Sequence, residues 1–433
     1  MIPKIHCPRS TITNFLVISL FLNFVSFYVY RETLLQVNGQ HNHQARSVPT
    51  AVVEMDSPTF KGMSNSKDSQ GKINPKIIET DEAQPQNSKR KAYLLVTMYR
   101  SGSTLTGEMF NRNPDFLYYF EPLAIFGNNN APLQKIKMLN DTFHCHAPNA
   151  ENFKKYANPK ESTTKNCLNE GVCMYQLSTR FCKPPFCWNP EAPATQCKKQ
   201  CSPPGSDRAK LDHMERICKE EVDTVAIKTI RFLDLKRLHP FYADSYPIDF
   251  KAVFLVRDPR SMYHSRKKIH LELLHGKANE MGGFMKMLEQ ECDLVAQNLE
   301  LLSNTRTLES RKTFSLRYED IARDPIKYSK AIYNFLGEEF NDEVSGFLHD
   351  AIAPPKNKLD KSKATYTTSR AINETTILNG WRLDKMVNPS ELNQIQEKCA
   401  KMMKLAGYLP IKPDQKRDLT IESVDIKSKY GNL

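Results

Sequence analysis

Residues 91–111 read KAYLLVTMYRSGSTLTGEMFN and combine a predicted strand, a short loop and a predicted helix. The apolar run 92–96 is typical of a buried β-strand, and residues 105–111 are compatible with a helix. Between them lies the short loop Arg100-Ser101-Gly102-Ser103-Thr104. A strand, a Ser/Gly loop and a helix start bring unpaired backbone N–H groups and the positive end of the helix dipole to one place. The stretch therefore predicts a site that holds a phosphate.

The loop differs from the nucleoside-triphosphate P-loop, which has a Lys directly before its Ser/Thr and an earlier Gly. Here Gly102 precedes Ser103, and the cation is Arg100, on the other side of the glycine. A planar guanidinium suits two oxygens of a phosphate or a sulfate. The loop therefore argues against a Mg-ATP enzyme. An ordinary strand-to-helix turn is the alternative.

A second segment has the same layout as the first. Residues 250–256 (FKAVFLV) predict a buried parallel strand, and Arg257-Asp258-Pro259-Arg260 leads into a helical pattern that includes Ser265 and Arg266. Arg257 then lies at the carboxyl edge of the sheet, where α/β proteins bind ligands. Ser265 reaches the same crevice only if its helix packs back across the strand end. Asp258 is expected to cap this helix, with Pro259 in its first turn. A structural ion pair between Arg257 and Asp258 is the alternative.

The N-terminus predicts a membrane anchor. Residues 11–30 (TITNFLVISLFLNFVSFYVY) carry no charge and are long enough to cross a bilayer core of roughly 30 Å. Lys4 and Arg9 precede this run, which favours a cytosolic N-terminus and type II topology. A cleaved signal peptide is the alternative, although no small-residue cleavage pattern follows. A short, Phe-rich span favours the Golgi apparatus.

The rest of the chain divides by composition. The segment before residue 91 is rich in Asn, Gln, Ser, Lys and Pro, as in a solvated stem, and the C-terminal residues are polar and expected to be poorly ordered. We therefore predict a cytosolic tail (1–10), a transmembrane signal-anchor (11–30), a stem (31–90), a lumenal domain (91–412) and a polar tail (413–433).

Cysteines and sequons agree with a lumenal domain. Without Cys7, which would be cytosolic, ten cysteines remain, and most lie in the loop-rich stretch 145–218. This stretch predicts an insertion stapled by disulfides, with zinc as the less favoured alternative. A bridge between Cys292 and Cys399 would clamp the C-terminal helix to the body. The glycosylation sequons begin at Asn140 and Asn373.

The formal net charge of +12 is compatible with several partners. A lumenal location removes nucleic acid as a partner. An anionic nucleotide, an acidic glycan or simply a solvated basic surface remains.

Taken together, the two segments resemble the Golgi carbohydrate 6-O-sulfotransferase family, which acts on galactose, N-acetylgalactosamine or N-acetylglucosamine. Residues 97–123 resemble its 5′-phosphosulfate loop, and residues 251–266 resemble its 3′-phosphate motif. The resemblance extends over nearly all of residues 91–412. It implies a P-loop-like three-layer α/β fold with a mainly parallel sheet and helices on both faces. The donor that it implies is 3′-phosphoadenosine 5′-phosphosulfate (PAPS).

By this resemblance, the loop wraps the 5′-phosphosulfate, and Arg100 also stabilises the oxygen of the leaving 3′-phosphoadenosine 5′-phosphate (PAP). Arg257 and Ser265 would bind the 3′-phosphate. The loop residues concerned are Arg100, Ser101, Gly102, Ser103 and Thr104.

Glu121 is the candidate base. The residue lies 21 positions after Arg100, at the end of the apolar run 116–120, and related sulfotransferases have a catalytic Glu at this spacing. If that run is a parallel strand, both side chains emerge at the same edge of the sheet. A sugar hydroxyl that attacks sulfur must lose its proton, which a carboxylate can accept. Without the resemblance, a capping or salt-bridged Glu before a proline is the alternative.

Further residues resemble family positions less specifically. Tyr318 is expected either at the donor or packed on the following helix. Lys228 and Arg231 are expected to meet sulfate oxygens or an acidic acceptor sugar, although Arg231 could instead pin the next helix. Residues 368–370 and 381–382 are expected to close over the donor.

The function implied is metal-free sulfate transfer from PAPS to a 6-hydroxyl of galactose, GalNAc or GlcNAc, in a glycan or glycosaminoglycan chain. The enzyme would be held in the Golgi membrane by one span, and a homodimer stays open. Tyrosylprotein sulfotransferase activity and an inactive Golgi glycan-binding scaffold are the alternatives.

Overall fold

The computed structural model describes residues 89–126, 131–146, 178–180, 185–186, 207–272, 281–352 and 374–425. The predicted cytosolic tail and signal-anchor, and almost all of the predicted stem, lie outside these ranges, as does most of the cysteine-rich insertion. No helix within the described ranges is long and apolar enough to cross a membrane.

Five parallel strands form the sheet, in the order β2-β3-β1-β4-β5. β1 lies at the centre, between β3 and β4, so both of its edges are paired. The strands are β1 (Lys91–Thr97), β2 (Phe116–Phe120), β3 (Thr224–Thr229), β4 (Asp249–Val256) and β5 (Thr313–Arg317).

Alternating side chains of β1 face two separate cores, because successive residues of a strand point to opposite faces. Leu94 and Val96 belong to one core, and Tyr93 and Leu95 belong to the other; all four are fully buried. A strand that is apolar on both faces needs helices on both faces.

The helices supply these two layers. In chain order the described helices are α1 (Ser103–Arg112), α2 (Pro132–Phe143), α3 (Asp207–Glu221), α4 (His239–Tyr242), α5 (Pro259–Glu272), α6 (Met281–Ser303), α7 (Leu308–Arg311), α8 (Tyr318–Arg323), α9 (Pro325–Leu336), α10 (Asp342–Ile352), α11 (Glu374–Leu383), α12 (Pro389–Lys398) and α13 (Ala400–Ala406). Helices α1, α8, α9 and α10 pack in the core of Tyr93, while α2, α3, α5, α6, α12 and α13 pack in the core of Leu94. The predicted α/β fold, with helices on both faces of a parallel sheet, is confirmed.

Two disulfides join described residues. Cys292 on α6 is bonded to Cys399, between α12 and α13, so the predicted clamp on the C-terminal helices is confirmed. Cys145 is bonded to Cys218 on α3, which closes the two ends of the predicted insertion. Arg90 lies beside this second disulfide and donates to the carbonyls of Cys218 and Val222.

The C-terminal segment corrects one expectation. Residues 413–425 are packed against the domain rather than poorly ordered, because buried arginines donate to their carbonyl groups. Arg382 donates to the carbonyls of Lys416, Asp418 and Ile421, and Arg260 donates to Ser423. The return of the chain is fixed by an antiparallel bridge between Tyr408 and Val424.

Trp381 and Arg382 are packed inside the domain. Both side chains are fully buried, with Arg260 stacked 4.5 Å over the Trp381 ring. Arg382 donates to the C-terminal segment, and closure of this region over the donor stays a prediction. Residues 368–370, which were expected beside them, lie outside the described ranges.

Candidate active site

The candidate site lies at the carboxyl ends of β1 and β4, which are neighbours with Thr97 opposite Leu255. After β1 the chain makes the predicted loop, and Gly102, with φ of 87°, is the N-cap of α1. The first backbone bond into the helix runs from Thr106 to Gly102, so the N–H groups of residues 103–105 have no acceptor in the preceding turn. The predicted anion-binding geometry is therefore present.

The inner side of the loop is fixed by hydroxyl groups. Ser101 is fully buried, and its hydroxyl contacts Thr97 and donates to the carbonyl of Met98 at 2.5 Å. Thr97 donates in turn to the carbonyl of Leu255 at 2.8 Å. The Ser101 hydroxyl is therefore already engaged, so the group of Ser101 that remains for an anion is its backbone N–H.

Arg100 joins the two predicted phosphate motifs. Its Nε donates to Ser265 Oγ at 3.1 Å, and Arg257 NH1 donates to the Arg100 carbonyl at 2.9 Å. Helix α5 therefore packs back across the strand end, which was the condition for Ser265 to face the crevice.

Arg257 does not form the alternative ion pair with Asp258. Asp258 instead pairs with Arg260, whose NH2 lies 2.7 Å from Asp258 Oδ2, and its other oxygen accepts from the Arg260 backbone N–H. The Nε of Arg257 is buried and has no acceptor among the described residues. A buried donor without an acceptor is unusual, and an anionic ligand would satisfy it.

The Tyr318 ring packs against the loop at Gly102. The ring is buried and lies under Gly102, where a Cβ atom would overlap it, and the guanidinium of Arg257 lies 5.0 Å from the ring centre. Burial raises the pKa of the Tyr318 hydroxyl, and the positive charge of Arg257 opposes this shift. Tyr318 therefore lies against the loop, and its contact with the donor stays a prediction.

Glu121 and Lys228 form a buried ion pair beside the loop. Glu121 directly follows β2 and has φ of 49°, and its backbone N–H donates to the Lys228 carbonyl at 2.9 Å. The carboxylate contacts the Lys228 ammonium, which also lies 4.0 Å over the Phe120 ring. Lys228 is on β3, the strand between β2 and β1, so it stands between the candidate base and the loop.

Other cations lie near this pair. Burial lowers the pKa of Lys228; Glu121 opposes the shift, while the charges of Arg100 and Arg231 add to it. Lys135 donates to the Arg231 carbonyl at 3.0 Å, and burial together with Arg231 lowers its pKa too. The crevice is therefore rich in positive charge from Arg100 to Arg231.

The remaining predicted positions stay predictions. Asn140 lies on α2, half-buried, and its side-chain oxygen accepts from Tyr246 at 3.1 Å. Asn373 lies outside the described ranges. In the part of the chain that the structure describes, no group of three or more His, Cys, Asp or Glu side chains is placed to hold a metal ion.

Sequence reasoning missed three polar partners of the site. Lys135 and Glu291 have no motif that connects them to the loop, because each lies on a helix that approaches only in the tertiary fold. Arg266 follows Ser265 directly, and its place in the second motif was the available signal. It donates to the Tyr99 carbonyl and to Glu291.

Comparison with known proteins agrees with this geometry. Residues 94–342 match a family model described as Sulfotransferase family. Carbohydrate sulfotransferase 4 of Mus musculus is 25% identical over 357 residues, which cover 77% of this chain and 86% of that protein. Carbohydrate sulfotransferase 3 of Tetronarce californica is 28% identical over 347 residues, covering 75% and 74%. Among solved structures, the sulfotransferase domain from the Synechococcus PCC 7002 olefin synthase has a TM-score of 0.39 at 17% identity, covering 75% of this chain and 98% of that domain. With a family model that spans more than half of its residues, this chain belongs to the sulfotransferase family.

Proposed function

We propose that this protein transfers sulfate from PAPS to the 6-hydroxyl of galactose, GalNAc or GlcNAc in glycan or proteoglycan chains. Membership of the sulfotransferase family and relatives named carbohydrate sulfotransferases support a carbohydrate acceptor. The observation that carries the proposal is the position of Arg100. Its side chain bonds Ser265 on one side, and its charge acts on Lys228, the partner of Glu121, on the other.

The residues at the strand ends fit an anionic donor with two phosphate positions. The N–H groups at the start of α1 suit the 5′-phosphosulfate, since backbone amides at a helix N-terminus favour anions. Arg257, with its buried Nε that lacks an acceptor among the described residues, suits the 3′-phosphate together with Ser265.

The pair of Glu121 and Lys228 suits the chemistry of the acceptor. Glu121 accepts the proton of the attacking hydroxyl as the new S–O bond forms, and Arg100 with the loop N–H groups stabilises the negative charge on the leaving phosphate oxygen. Lys228 keeps the Glu121 carboxylate oriented and adds positive charge near the transferred sulfuryl oxygens. Positioning and electrostatics supply the catalysis.

Transfer is tested by incubating the full chain with labelled PAPS. Desulfated glycosaminoglycans, galactose- or GlcNAc-terminated glycans and a tyrosine-containing peptide serve as acceptors. We expect label on a sugar, at the position that methylation analysis assigns to the 6-hydroxyl. Label on the peptide alone would favour a tyrosylprotein sulfotransferase. No transfer to any acceptor, with PAP still bound, would favour an inactive glycan-binding protein.

Membrane anchoring is part of the same proposal. The uncharged run 11–30 and the absence of positive excess after it support a type II protein with a lumenal domain in the Golgi apparatus. In sealed Golgi vesicles we expect the domain to resist protease until detergent is added. Digestion without detergent would contradict this orientation.

The Arg257→Ala variant should weaken donor binding more than chemistry. It removes a guanidinium that supports the Arg100 carbonyl and faces the proposed 3′-phosphate, and charge-assisted hydrogen bonds contribute about 1.5–3 kcal/mol each. We expect the Kd for PAP, measured by calorimetry, to rise by roughly 10–100-fold. Unchanged affinity for PAP, with a lower affinity for adenosine 5′-phosphosulfate, would contradict the assignment.

The Gly102→Ala variant should disrupt the loop. Its φ of 87° disfavours a side chain, and the new Cβ would overlap the buried Tyr318 ring. We expect PAP affinity to fall at least about tenfold with a folded protein. Gly107→Ala is not a neutral comparison, because its Cβ would meet the Tyr118 hydroxyl, so Gly346→Ala, with open space around it, is the control.

A further inference from the structure

The backbone at Arg100 is held from both sides. Its φ of 68° lies in the left-handed region, which a residue with a side chain adopts only when its surroundings impose it. Arg266 donates from Nε and NH2 to the carbonyl of Tyr99, at 3.1 and 2.8 Å. Arg257 donates to the next carbonyl, that of Arg100 itself, at 2.9 Å. Two arginines therefore bind the two carbonyls that flank the residue.

This arrangement matters for an anion site. A carbonyl oxygen that faced the anion would repel it, whereas oxygens bound to guanidinium groups are turned away and leave the N–H groups of the loop for the ligand. The Tyr99 side chain contacts both arginines: the guanidinium groups of Arg100 and Arg266 lie 5.9 and 5.6 Å from the centre of its ring.

Arg266 is held in turn by Glu291. Its side chain is fully buried, and its NH2 lies 2.5 Å from Glu291 Oε2 on α6. Burial raises the pKa of Glu291, and the charge of Arg266 opposes that shift. Glu291 precedes Cys292, whose disulfide fastens α6 to the C-terminal helices. The carboxylate is therefore anchored to a rigid part of the domain.

We propose that Arg266 and Glu291 are positioning residues, which set the backbone of Arg100 and so aim its side chain and the loop N–H groups at the donor. The side chains of the pair have no described hydrogen bond to the Ser265 hydroxyl or to Glu121, and the pair acts through the Tyr99 carbonyl. This inference rests on the proposed function only in assigning the loop to PAPS. The connection from α6 through α5 to the loop depends only on the hydrogen bonds that Arg266 donates to Glu291 and to the Tyr99 carbonyl.

The first test needs no ligand. Hydrogen–deuterium exchange of the peptide that covers residues 98–106 is measured on the full chain, for wild type, Arg266→Lys and Glu291→Gln. Both substitutions roughly keep the size of the side chain. Lysine lacks the planar guanidinium whose Nε and NH2 both donate to the Tyr99 carbonyl, and glutamine lacks the negative charge of Glu291. We expect exchange in this peptide to accelerate about tenfold or more, since local opening follows the loss of local hydrogen bonds.

Matched controls separate positioning from general destabilisation. Arg382→Lys alters another buried arginine that donates to carbonyls, those of the C-terminal segment, and Glu289→Gln alters a glutamate on the same helix that pairs with Lys398. We expect both controls to leave exchange in the loop unchanged, even where they lower Tm. Equal acceleration in Arg382→Lys and Arg266→Lys would overturn the proposal. Should Arg266→Lys fail to fold, Glu291→Gln and Glu289→Gln carry the same comparison.

The second test is the binding of PAP, measured by calorimetry. We expect Kd to rise about tenfold in each single variant, the factor that corresponds to losing one charge-assisted hydrogen bond. In the double variant, Kd for PAP should exceed that of the weaker-binding single variant by no more than about threefold, because both residues act through one carbonyl. Fully additive losses, or affinity equal to that of the controls, would contradict the proposal. If wild type does not bind PAP, the proposed donor is wrong, and the exchange experiment still decides whether the pair holds the loop.

Discussion

The Glu121→Gln variant should lose turnover and keep its donor. The amide retains the shape of the side chain and an oxygen that accepts from Lys228, but it cannot accept a proton from the acceptor hydroxyl. General-base catalysis contributes about 10²–10⁴-fold, so we expect kcat to fall roughly a thousandfold. The Kd for PAP should stay within about threefold of wild type, because PAP lacks the reacting sulfate.

A second buried glutamate provides the control. Glu319 accepts from the Asp258 backbone N–H at 3.0 Å with one oxygen and from the Tyr408 hydroxyl at 2.9 Å with the other. Glutamine can keep both partners, because its oxygen accepts from the Asp258 N–H and its NH2 group donates to the Tyr408 hydroxyl. Burial, and then the charge of Asp258, raise the pKa of Glu319. Glu319→Gln should therefore retain kcat within a few fold. If Glu121→Gln loses PAP affinity as strongly as Arg257→Ala, or turns over normally, Glu121 is not the base.

Truncation after Lys412 should prevent folding. The deletion removes the carbonyls of Lys416, Asp418 and Ile421 that Arg382 binds, and also the acceptors in Ser423 and Asp425 that Arg260 and Arg317 bind. A buried donor that loses its acceptor costs about 1–3 kcal/mol, and five such losses approach the whole stability of a typical domain, about 5–15 kcal/mol. We expect insoluble protein, or a soluble product without a cooperative thermal transition.

Truncation after Asp425 is the matched control. All the acceptors just named lie at or before that residue, so the shorter deletion should leave Tm within a few degrees of the full chain. A stable, cooperative protein that ends at Lys412 would show that the buried arginines find water or other acceptors. It would also restore the expectation that the C-terminal residues are poorly ordered.

The local motifs were predictable because they depend on neighbours in sequence. The strand 91–97, the turn at Gly102 and the start of α1 follow from an apolar run, a residue that tolerates positive φ and a helix-compatible segment. The second segment, with Asp258 at the start of α5, follows from the same rules. Parallel strands of this kind present their carboxyl ends at one edge of the sheet, so the approximate place of the site was also predictable.

The partners of the charged residues were not predictable in the same way. Lys228 was expected to meet sulfate oxygens or an acidic acceptor sugar, but its pairing with Glu121 was not foreseen; β3 lies between β2 and β1 and presents the ammonium to that carboxylate. The contact of the Tyr318 ring with Gly102 was not foreseen either. The order of strands in a sheet decides such contacts, and that order is not visible in the spacing of residues along the chain.

Patterns of neighbouring residues were sufficient to predict the α/β class, the two anion-binding motifs and the likeness to sulfotransferases. The bridge between Cys292 and Cys399, which are 107 residues apart, was a hypothesis from the sequence that the fold confirms. The tertiary structure was needed to show that Arg257 and Ser265 bind Arg100, that Arg266 binds the neighbouring Tyr99 carbonyl, and that the polar residues 413–425 pack against the domain. A buried charge is stable only beside its partner. Those partners come from elements that are distant in sequence and meet only when the sheet is assembled.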